Sequence, residues 1–286
     1  MSESPIRAAF AHAKAEGRAA FVPYVMLGYP DDATSVALAV ALAASGADAI
    51  ELGVPFSDPL ADGATIQHAS QLALQAGVTV ASCLVMAQRI HEQTPVPLIF
   101  MGYYNPFLRM GLAALCEQAA KAGVSGLIIP DLPIEEAATV IAAGHPFGIS
   151  PIFLITPTSP ATRIAAVAAQ SRASASGFVY CVSLSGVTGA RSELPPELPA
   201  FIARIREHTR ELPLGIGFGI ARPEHAAAVA HLADGMIVAS ALINTYDTAA
   251  AGTGITAVAT LARSLRDAAK QTFYVKREAS EQQNLL

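Results

Sequence analysis

The feature that most constrains this fold is an alternation, repeated eight times, between short apolar segments and longer alanine-rich segments. The short segments are rich in Val, Ile and Phe, which favours strands, and they span residues 21–27, 49–54, 98–103, 126–130, 149–155, 177–183, 214–218 and 235–239. The longer segments have helical spacing and span residues 33–45, 80–93, 112–122, 135–143, 161–170, 199–208, 223–230 and 255–269. Eight strand–helix units in succession predict a single α/β TIM barrel with parallel strands.

The remainder of the chain fits one domain of this kind. Residues 6–16 predict an extra N-terminal helix that closes the bottom of the barrel, and no change of composition marks a second domain. The chain has 286 residues, and α/β barrels commonly need ~250. We therefore expect a catalytic domain at 1–275 and a polar, disordered C-terminal tail at 276–286. An open doubly wound sheet is the alternative, and it is disfavoured because no GxGxxG follows the first strand.

Composition argues against several classes of function. Lys and Arg number 18 against 23 Asp and Glu, a net charge of −5, which disfavours the basic surface of a nucleic-acid-binding protein. Apolar residues make up 52% of the chain, but no uninterrupted run reaches the ~18 residues of a membrane-spanning helix. The N-terminus lacks the apolar core of a signal peptide, and Cys83, Cys116 and Cys181 are far apart. These features favour a cytoplasmic protein.

The second predicted strand carries the strongest candidate for a catalytic group. In the sequence DAIELGV, strand alternation places three branched apolar side chains on one face and Glu51, between two small residues, on the other. Burial inside a barrel would raise the pKa of this carboxyl toward neutrality, as a general acid–base requires. The alternative is a structural glutamate paired with a buried Lys or Arg, although no predicted strand carries either residue.

Two more carboxylates follow in the loop PFSDPLADG. Asp58 and Asp62 lie just past the same strand, at the barrel face where this fold places its chemistry. A second carboxylate near Glu51 could stabilise a proton elsewhere on a substrate, provided that the two environments separate the two pKa values. The alternative for each aspartate is turn chemistry, since Asp is common before Pro and Gly in turns.

Three glycine-containing segments follow the last three predicted strands. GVTGAR occupies residues 186–191, GFGI occupies 217–220, and ASALIN occupies 239–244 and opens a short helix. Backbone N–H groups on such loops, together with a helix N-terminus, hold a phosphate dianion without a basic side chain. Barrel enzymes often bind phosphate after strands seven and eight, so the three segments together predict a phosphate site. The alternative is glycine that only permits a turn.

Three tyrosines in the predicted strands bear on the kind of substrate. If Tyr24, Tyr103 and Tyr180 face the barrel interior, they form a flat apolar pocket suited to an aromatic ring; otherwise they are ordinary core. No metal-ligand spacing is present, and no predicted strand carries a lysine that could form a Schiff base. An aldol-type reaction at this site would therefore run on acid–base groups alone, without an imine or a metal.

Six of these segments, taken in order, resemble the tryptophan synthase alpha chain family. They are FVPYVMLGYP, GADAIELGVPFSDPLADGATIQ, MGYYNP, IIPDLPIEE, GVTGAR and IGFGI, and the match runs from about residue 21 to about residue 243. The segment ELGVPFSDPLADG is the most specific of them. The resemblance implies a TIM barrel that cleaves indole-3-glycerol phosphate to indole and glyceraldehyde 3-phosphate by a retro-aldol reaction, as a lyase of tryptophan biosynthesis.

The resemblance also implies roles for particular residues. Glu51 would protonate the indole carbon that bears the side chain and help to remove a proton from the glycerol hydroxyl, and Asp62 would hydrogen-bond the indole N–H. Substrate contacts are implied at Tyr24, Ile66, Met101, Tyr103, Ile128, Leu154, Tyr180 and Thr188, the last of which would help to close a lid. Phosphate contacts are implied at Gly189, Gly217, Phe218, Gly219, Ala239 and Ser240.

The partner implied by the resemblance is a beta chain that uses pyridoxal phosphate, in an alpha2–beta2 complex. Contacts with it are implied near Asp58, Pro59, Asn105 and Pro133, and the alpha chain itself carries no cofactor. Two other interpretations stay open. One is a stand-alone lyase that releases free indole, and the other is a non-catalytic partner that only activates a beta chain, against which the retention of both carboxylates argues.

The segment SLSGVTG before the lid and three single positions depart from the usual pattern of this family. Met26 stands where threonine is common, close to Asp62, so we expect different hydrogen bonding around that carboxylate. Ala64 replaces the usual proline after ADG, and Ala239 replaces a glycine of the phosphate site. None of these changes removes a catalytic group, and we expect them to alter the rate more than the type of reaction.

Overall fold

A computed structural model describes residues 4–182, 194–217 and 219–283, with side chains described as far as residue 269. Its parallel strands form a nearly closed barrel, which confirms the predicted TIM barrel. The described strands are Ala20–Met26 (β1), Ile50–Gly53 (β2), Leu98–Met101 (β3), Val124–Ile128 (β4), Ser150–Ile152 (β5), Leu154–Ile155 (β6), Val179–Val182 (β7), Leu214–Gly217 (β8) and Gly235–Val238 (β9). They are hydrogen-bonded in the order β5-β4-β3-β2-β1-β9-β8-β7-β6.

The fifth predicted strand is divided in the structure. Phe153 separates β5, which pairs with β4, from β6, which pairs with β7. One continuous segment therefore joins the two ends of the sheet, because β5 is hydrogen-bonded to β4 and β6 is hydrogen-bonded to β7. This division explains why eight predicted strands become nine observed ones in the described part of the chain.

Helices lie between the strands and outside them. They are Pro5–Ala15 (α1), Asp32–Ala44 (α2), Ala64–Gln75 (α3), Val80–His91 (α4), Tyr104–Met110 (α5), Leu112–Lys121 (α6), Ala138–Gly144 (α7), Ala161–Ala173 (α8), Leu198–Thr209 (α9), Pro223–Ala230 (α10), Ser240–Thr248 (α11) and Gly254–Gln283 (α12), with 3-10 turns at Ile134–Glu136 and His145–Phe147. Two of them, α3 and α5, lengthen the connections after β2 and β3. The last helix includes residues 276–283, so the division of the chain at residue 275 stays a prediction.

Two layers of core follow from the alternation of side chains along each strand. Ile50, Leu52 and Val54 belong to the layer between the strands and the outer helices, as the sequence predicts. Ala49 belongs to the second layer, inside the barrel. A strand that is buried on both faces is typical of parallel sheets.

The predicted N-terminal helix closes the bottom of the barrel. Ile6 and Phe10 of α1 are buried in the interior layer, and Phe10 stacks on Phe178 with 4.9 Å between the ring centroids. Glycines make room for this helix: a Cβ on Gly177 would lie 2.5 Å from Ile6 Cγ2, and one on Gly235 would lie 2.5 Å from Phe10 Cε1. Both glycines lie at or just before the beginning of a strand, opposite the end expected to carry the chemistry.

Two general features of the chain complete the description. Cys83, Cys116 and Cys181 are buried free thiols. Within the described ranges, no single helix has the length and apolar character needed to cross a membrane, although the pair α3 and α4, bent by 105°, meets both criteria when taken together.

Candidate active site

Glu51 lies inside the barrel, on the interior face of β2. Its backbone is in register with Tyr24 of β1 and Ile99 of β3, and its side chain is only 1% exposed. The Oε2 atom is buried without a hydrogen-bond partner among the described residues. A buried and unsatisfied carboxyl oxygen is unusual in a folded protein, and such groups are common where a ligand completes the contacts.

The structure disfavours the structural alternative for Glu51. That alternative needs a buried Lys or Arg, and the buried Arg18 is engaged elsewhere. Its guanidinium donates to both carboxyl oxygens of Asp48 at 2.5 and 2.8 Å, and the same carboxyl accepts from the Phe21 N–H at 2.8 Å. Among the described residues, no ion pair involves Glu51.

Asp62 lies close to Glu51 although it follows the strand by a whole loop. The negative charge of Asp62 acts on the Glu51 carboxyl, and Asp62 Oδ1 is also buried without a hydrogen-bond partner among the described residues. By contrast, the carboxyl of Asp58 accepts the hydroxyl of its neighbour Ser57 at 2.5 Å. The turn interpretation therefore suits Asp58, whereas the side chain of Asp62 points to a different role.

The two carboxyl groups have different acidities. Burial, with a smaller contribution from the charge of Asp62, raises the pKa of Glu51 to about 8. Burial also raises the pKa of Asp62, but only to about 6, because a hydrogen bond with Tyr103 opposes it. Near pH 7 the pair therefore holds one proton, on Glu51, beside one negative charge, on Asp62.

The tyrosines predicted to form a ring pocket are buried around this pair. The charges of Asp62 and Glu51 both act on the hydroxyl groups of Tyr24 and Tyr180, whose pKa values are raised mainly by burial. The Tyr24 side chain lies so close to Gly53 of the neighbouring strand that a Cβ on Gly53 would clash with the Tyr24 hydroxyl. Tyr103 was predicted within a strand, but β3 ends at Met101, and Tyr103 begins the turn into α5.

The other predicted substrate contacts come from several elements. Ile128 and Leu154 belong to or pack against the interior layer, Met101 contacts both layers, and Ile66 of α3 packs on the outer layer. A cavity of about 780 Å³ reaches Asp62, Leu154 and Val182, while Glu51 is not among its described lining residues. Thr188 lies outside the described residues.

The described part of the predicted phosphate site lies at the ends of two paired strands. Gly217 ends β8, Gly219 has a φ of +56°, and Ala239 and Ser240 lie at the boundary between β9 and α11. No side chain caps the N-terminus of α11 in the described structure, so its first N–H groups face outward from the helix without such a partner. Gly189 and Phe218 lie outside the described residues.

Two of the four residues expected to contact a partner chain, Asp58 and Asn105, line a second cavity. A cavity of about 500 Å³ is lined by Asp58, Leu60, Asn105 and Asp131, among others, and Leu60 is 94% exposed. Pro59 is in the same loop, and Pro133 precedes the 3-10 turn Ile134–Glu136. Within the ranges that the structure describes, no group of three or more His, Cys, Asp or Glu could hold a metal ion.

The sequence analysis expects altered hydrogen bonding around Asp62 but does not identify Tyr103 as its partner. The sulfur of Met26 is 3.9 Å from the Tyr24 hydroxyl oxygen. The side-chain contact of Asp62 in the described structure is instead with Tyr103, whose oxygen also accepts from the Ala61 N–H at 3.0 Å. No periodicity in the sequence signals this contact, because it depends on how the loop folds back over β3.

Comparisons with known proteins agree with this geometry. The family model described as tryptophan synthase alpha chain matches residues 10–271. The tryptophan synthase alpha chain of Roseiflexus castenholzii is 51% identical over 264 residues, covering 92% of this chain and 99% of the relative, and that of Chloroflexus aggregans is 52% identical over 238 residues, covering 82% and 86%. A solved structure of Mycobacterium tuberculosis tryptophan synthase aligns with a TM-score of 0.85 at 37% identity, over 94% of this chain and 99% of that one. The alpha chain from Legionella pneumophila aligns with a TM-score of 0.82 at 36% identity, over 93% and 97%.

Proposed function

This chain belongs to the tryptophan synthase alpha chain family, lyases that act on indole-3-glycerol phosphate in tryptophan biosynthesis, and we propose that Glu51 and Asp62 perform its retro-aldol cleavage. The observation that carries the assignment is the state of the Glu51 carboxyl inside the barrel. It is buried, has an unsatisfied oxygen among the described residues, and has a pKa raised to about 8. These are the properties of a general acid that can also act as a base.

Glu51 acts on both sides of the bond that breaks. Its proton moves to the indole carbon that bears the glycerol chain, which leaves a carboxylate and a cationic ring. The carboxylate then accepts the proton of the adjacent glycerol hydroxyl. As that oxygen forms the carbonyl of glyceraldehyde 3-phosphate, the carbon–carbon bond breaks, and its electron pair returns to the ring to give indole. One group thus donates and then recovers a proton, which suits a pKa near neutrality.

Asp62 stabilises the charge that appears on the ring. Its pKa of about 6 leaves it ionised near pH 7, and an ionised carboxylate accepts a hydrogen bond from the indole N–H. This hydrogen bond strengthens when the ring becomes cationic, so it stabilises the transition state more than the bound substrate. The unpartnered Oδ1 supports this role, because a donor from the substrate would satisfy it.

The remaining contacts hold the two ends of the substrate. The ring pocket is formed by interior side chains together with Ile66 of α3 and Tyr103 before α5; its members are Tyr24, Ile66, Met101, Tyr103, Ile128, Leu154 and Tyr180. Thr188 closes the lid, and the phosphate is held by Gly189, Gly217, Phe218, Gly219, Ala239 and Ser240. The N-terminus of α11 and the left-handed backbone at Gly219 support the phosphate assignment.

The chain pairs with a tryptophan synthase beta chain, as its family does, and Asp58, Pro59, Asn105 and Pro133 contact it. Leu60 follows Pro59 in the chain and is 94% exposed, so this loop can offer an apolar side chain to the partner. The buried free thiols support a reducing, cytoplasmic location.

Indole release from indole-3-glycerol phosphate tests the proposal and separates its alternatives. The assay compares the chain alone with the chain plus a beta chain. Slow release that rises steeply with the partner is the result expected of an alpha chain. Fast release by the chain alone would identify a stand-alone lyase, and no release under either condition would leave only a non-catalytic partner.

A further inference from the structure

Resting on the role proposed for Asp62, we propose that Asp131 is a positioning residue for the reaction, which anchors the first turn of α5 so that Tyr103 can direct its hydroxyl group to Asp62. Asp131 does not touch the reacting atoms in this account. Asp131 lies in the loop after β4, the strand that pairs with β3. It acts through Tyr104 and Tyr103, which are adjacent in the chain after β3.

The first contact is between Asp131 and the beginning of α5. Asp131 Oδ1 accepts a hydrogen bond from the Tyr104 N–H at 2.9 Å, across 27 positions of the chain. Tyr104 is the first residue of α5, and the preceding Tyr103 provides no side-chain cap for the helix. Asp131 therefore supplies, from another loop, the acceptor that an N-cap residue normally provides. Since α5 has only seven residues, one cap restrains a large part of it.

The second contact fixes the direction of the Tyr103 hydroxyl. Its oxygen accepts from the Ala61 N–H at 3.0 Å, and its ring stacks on Phe56 with 5.0 Å between centroids. A phenol has one hydrogen to donate. Because Ala61 is a donor to this oxygen, the hydroxyl hydrogen is free to point to the acceptor nearby, which is the Asp62 carboxyl. The Ala61 N–H therefore donates to the Tyr103 oxygen, and the Tyr103 hydroxyl donates to the Asp62 carboxyl.

The consequence concerns the charge of Asp62. Glu51 from β2, Tyr24 from β1 and Tyr180 from β7 face Asp62 across the barrel, and none of them is cationic. The hydrogen bond from Tyr103 is thus the described interaction that favours the ionised form against burial. If α5 loses its anchor, Tyr103 is less well placed, and the pKa of Asp62 rises further.

The test compares three single variants by the pH dependence of kcat/KM for indole release, measured with the beta chain present. Asp131→Ala removes the acceptor, and Asp131→Asn keeps an oxygen that can accept from Tyr104. Asp31→Ala is the matched control, because Asp31 caps α2 by accepting from the Thr34 N–H at 2.8 Å and lies outside the proposed site. We expect the acid limb of Asp131→Ala to move to higher pH, with kcat/KM at pH 6 reduced about fivefold, because a smaller fraction of Asp62 is ionised at that pH when its pKa rises. The other two variants keep the acid limb of the natural protein.

A combination with Tyr103→Phe shows whether Asp131 acts through Tyr103. In that background Asp131→Ala should cause no further shift of the acid limb, since two changes in one chain of contacts are not additive. The inference is overturned if Asp131→Ala leaves the acid limb unmoved, if Asp31→Ala moves it equally, or if the shift persists in the Tyr103→Phe background. Asp62→Asn in the same assay checks the proposed function separately: near-normal activity there would remove the premise, whereas a large loss leaves Asp131 to be judged on its own variants.

Discussion

Glu51 and Asp62 are two carboxyl groups whose different surroundings give them different protonation states near pH 7. Strand alternation alone predicts that Glu51 faces the barrel interior, because a two-residue period fixes the face of every side chain in a strand. The position of Asp62 close to Glu51 could not be derived from strand alternation. Its position depends on a loop, and the path of a loop is set by particular contacts such as the Ala61 N–H to Tyr103 hydrogen bond.

The pH dependence of kcat/KM follows from the two acidities. Glu51 must carry a proton to begin the reaction, so activity should fall as the pH rises through about 8. Asp62 must be ionised, so activity should also fall as the pH drops through about 6. We therefore expect a bell-shaped profile with its plateau between these limits. A profile that keeps rising above pH 9 would contradict the assignment of Glu51 as the acid.

Most elements of the barrel could be predicted from the sequence, and the exceptions have physical reasons. The helix α5 begins with Tyr-Asn-Pro, which by its residues indicates a turn. The divided fifth strand could not be foreseen, because the apolar residues on both sides of Phe153 give no signal of the position at which hydrogen bonding changes partner. The helix α1 was predicted, and its role as a plug follows from its apolar face.

The plug formed by α1 should contribute strongly to stability. Phe10 is 2% exposed and stacked on Phe178, so Phe10→Ala leaves a cavity that the surrounding strands cannot fill. We expect a loss of ~3–5 kcal/mol in the free energy of unfolding, measured by urea titration. Phe147→Ala is the matched control, since Phe147 is 37% exposed and should cost far less. Equal losses in both variants would show that α1 is not a plug.

At the scale of the whole molecule, the barrel brings loops from distant parts of the chain to one face. The phosphate assignment depends on this convergence, and it predicts a rise in melting temperature with glycerol 3-phosphate, since a ligand that binds only the native state stabilises it. Glycerol, which lacks the phosphate, should cause no such rise. Ser240→Asp should remove it, because a carboxylate at the start of α11 repels the phosphate dianion. An unchanged rise in that variant would place the phosphate elsewhere.

The most direct test of the central claim is indole release by Glu51→Gln in the presence of the beta chain, with the thermal stability of the same variant followed from pH 5 to pH 9. Because the pKa of Glu51 is raised in the folded protein, the natural chain loses stability as the pH rises toward about 8, whereas the amide does not titrate. The account predicts that Glu51→Gln is folded and gains stability relative to the natural chain as the pH rises, yet loses ~10²–10⁴-fold in kcat. Near-normal release of indole by a folded Glu51→Gln variant would contradict it.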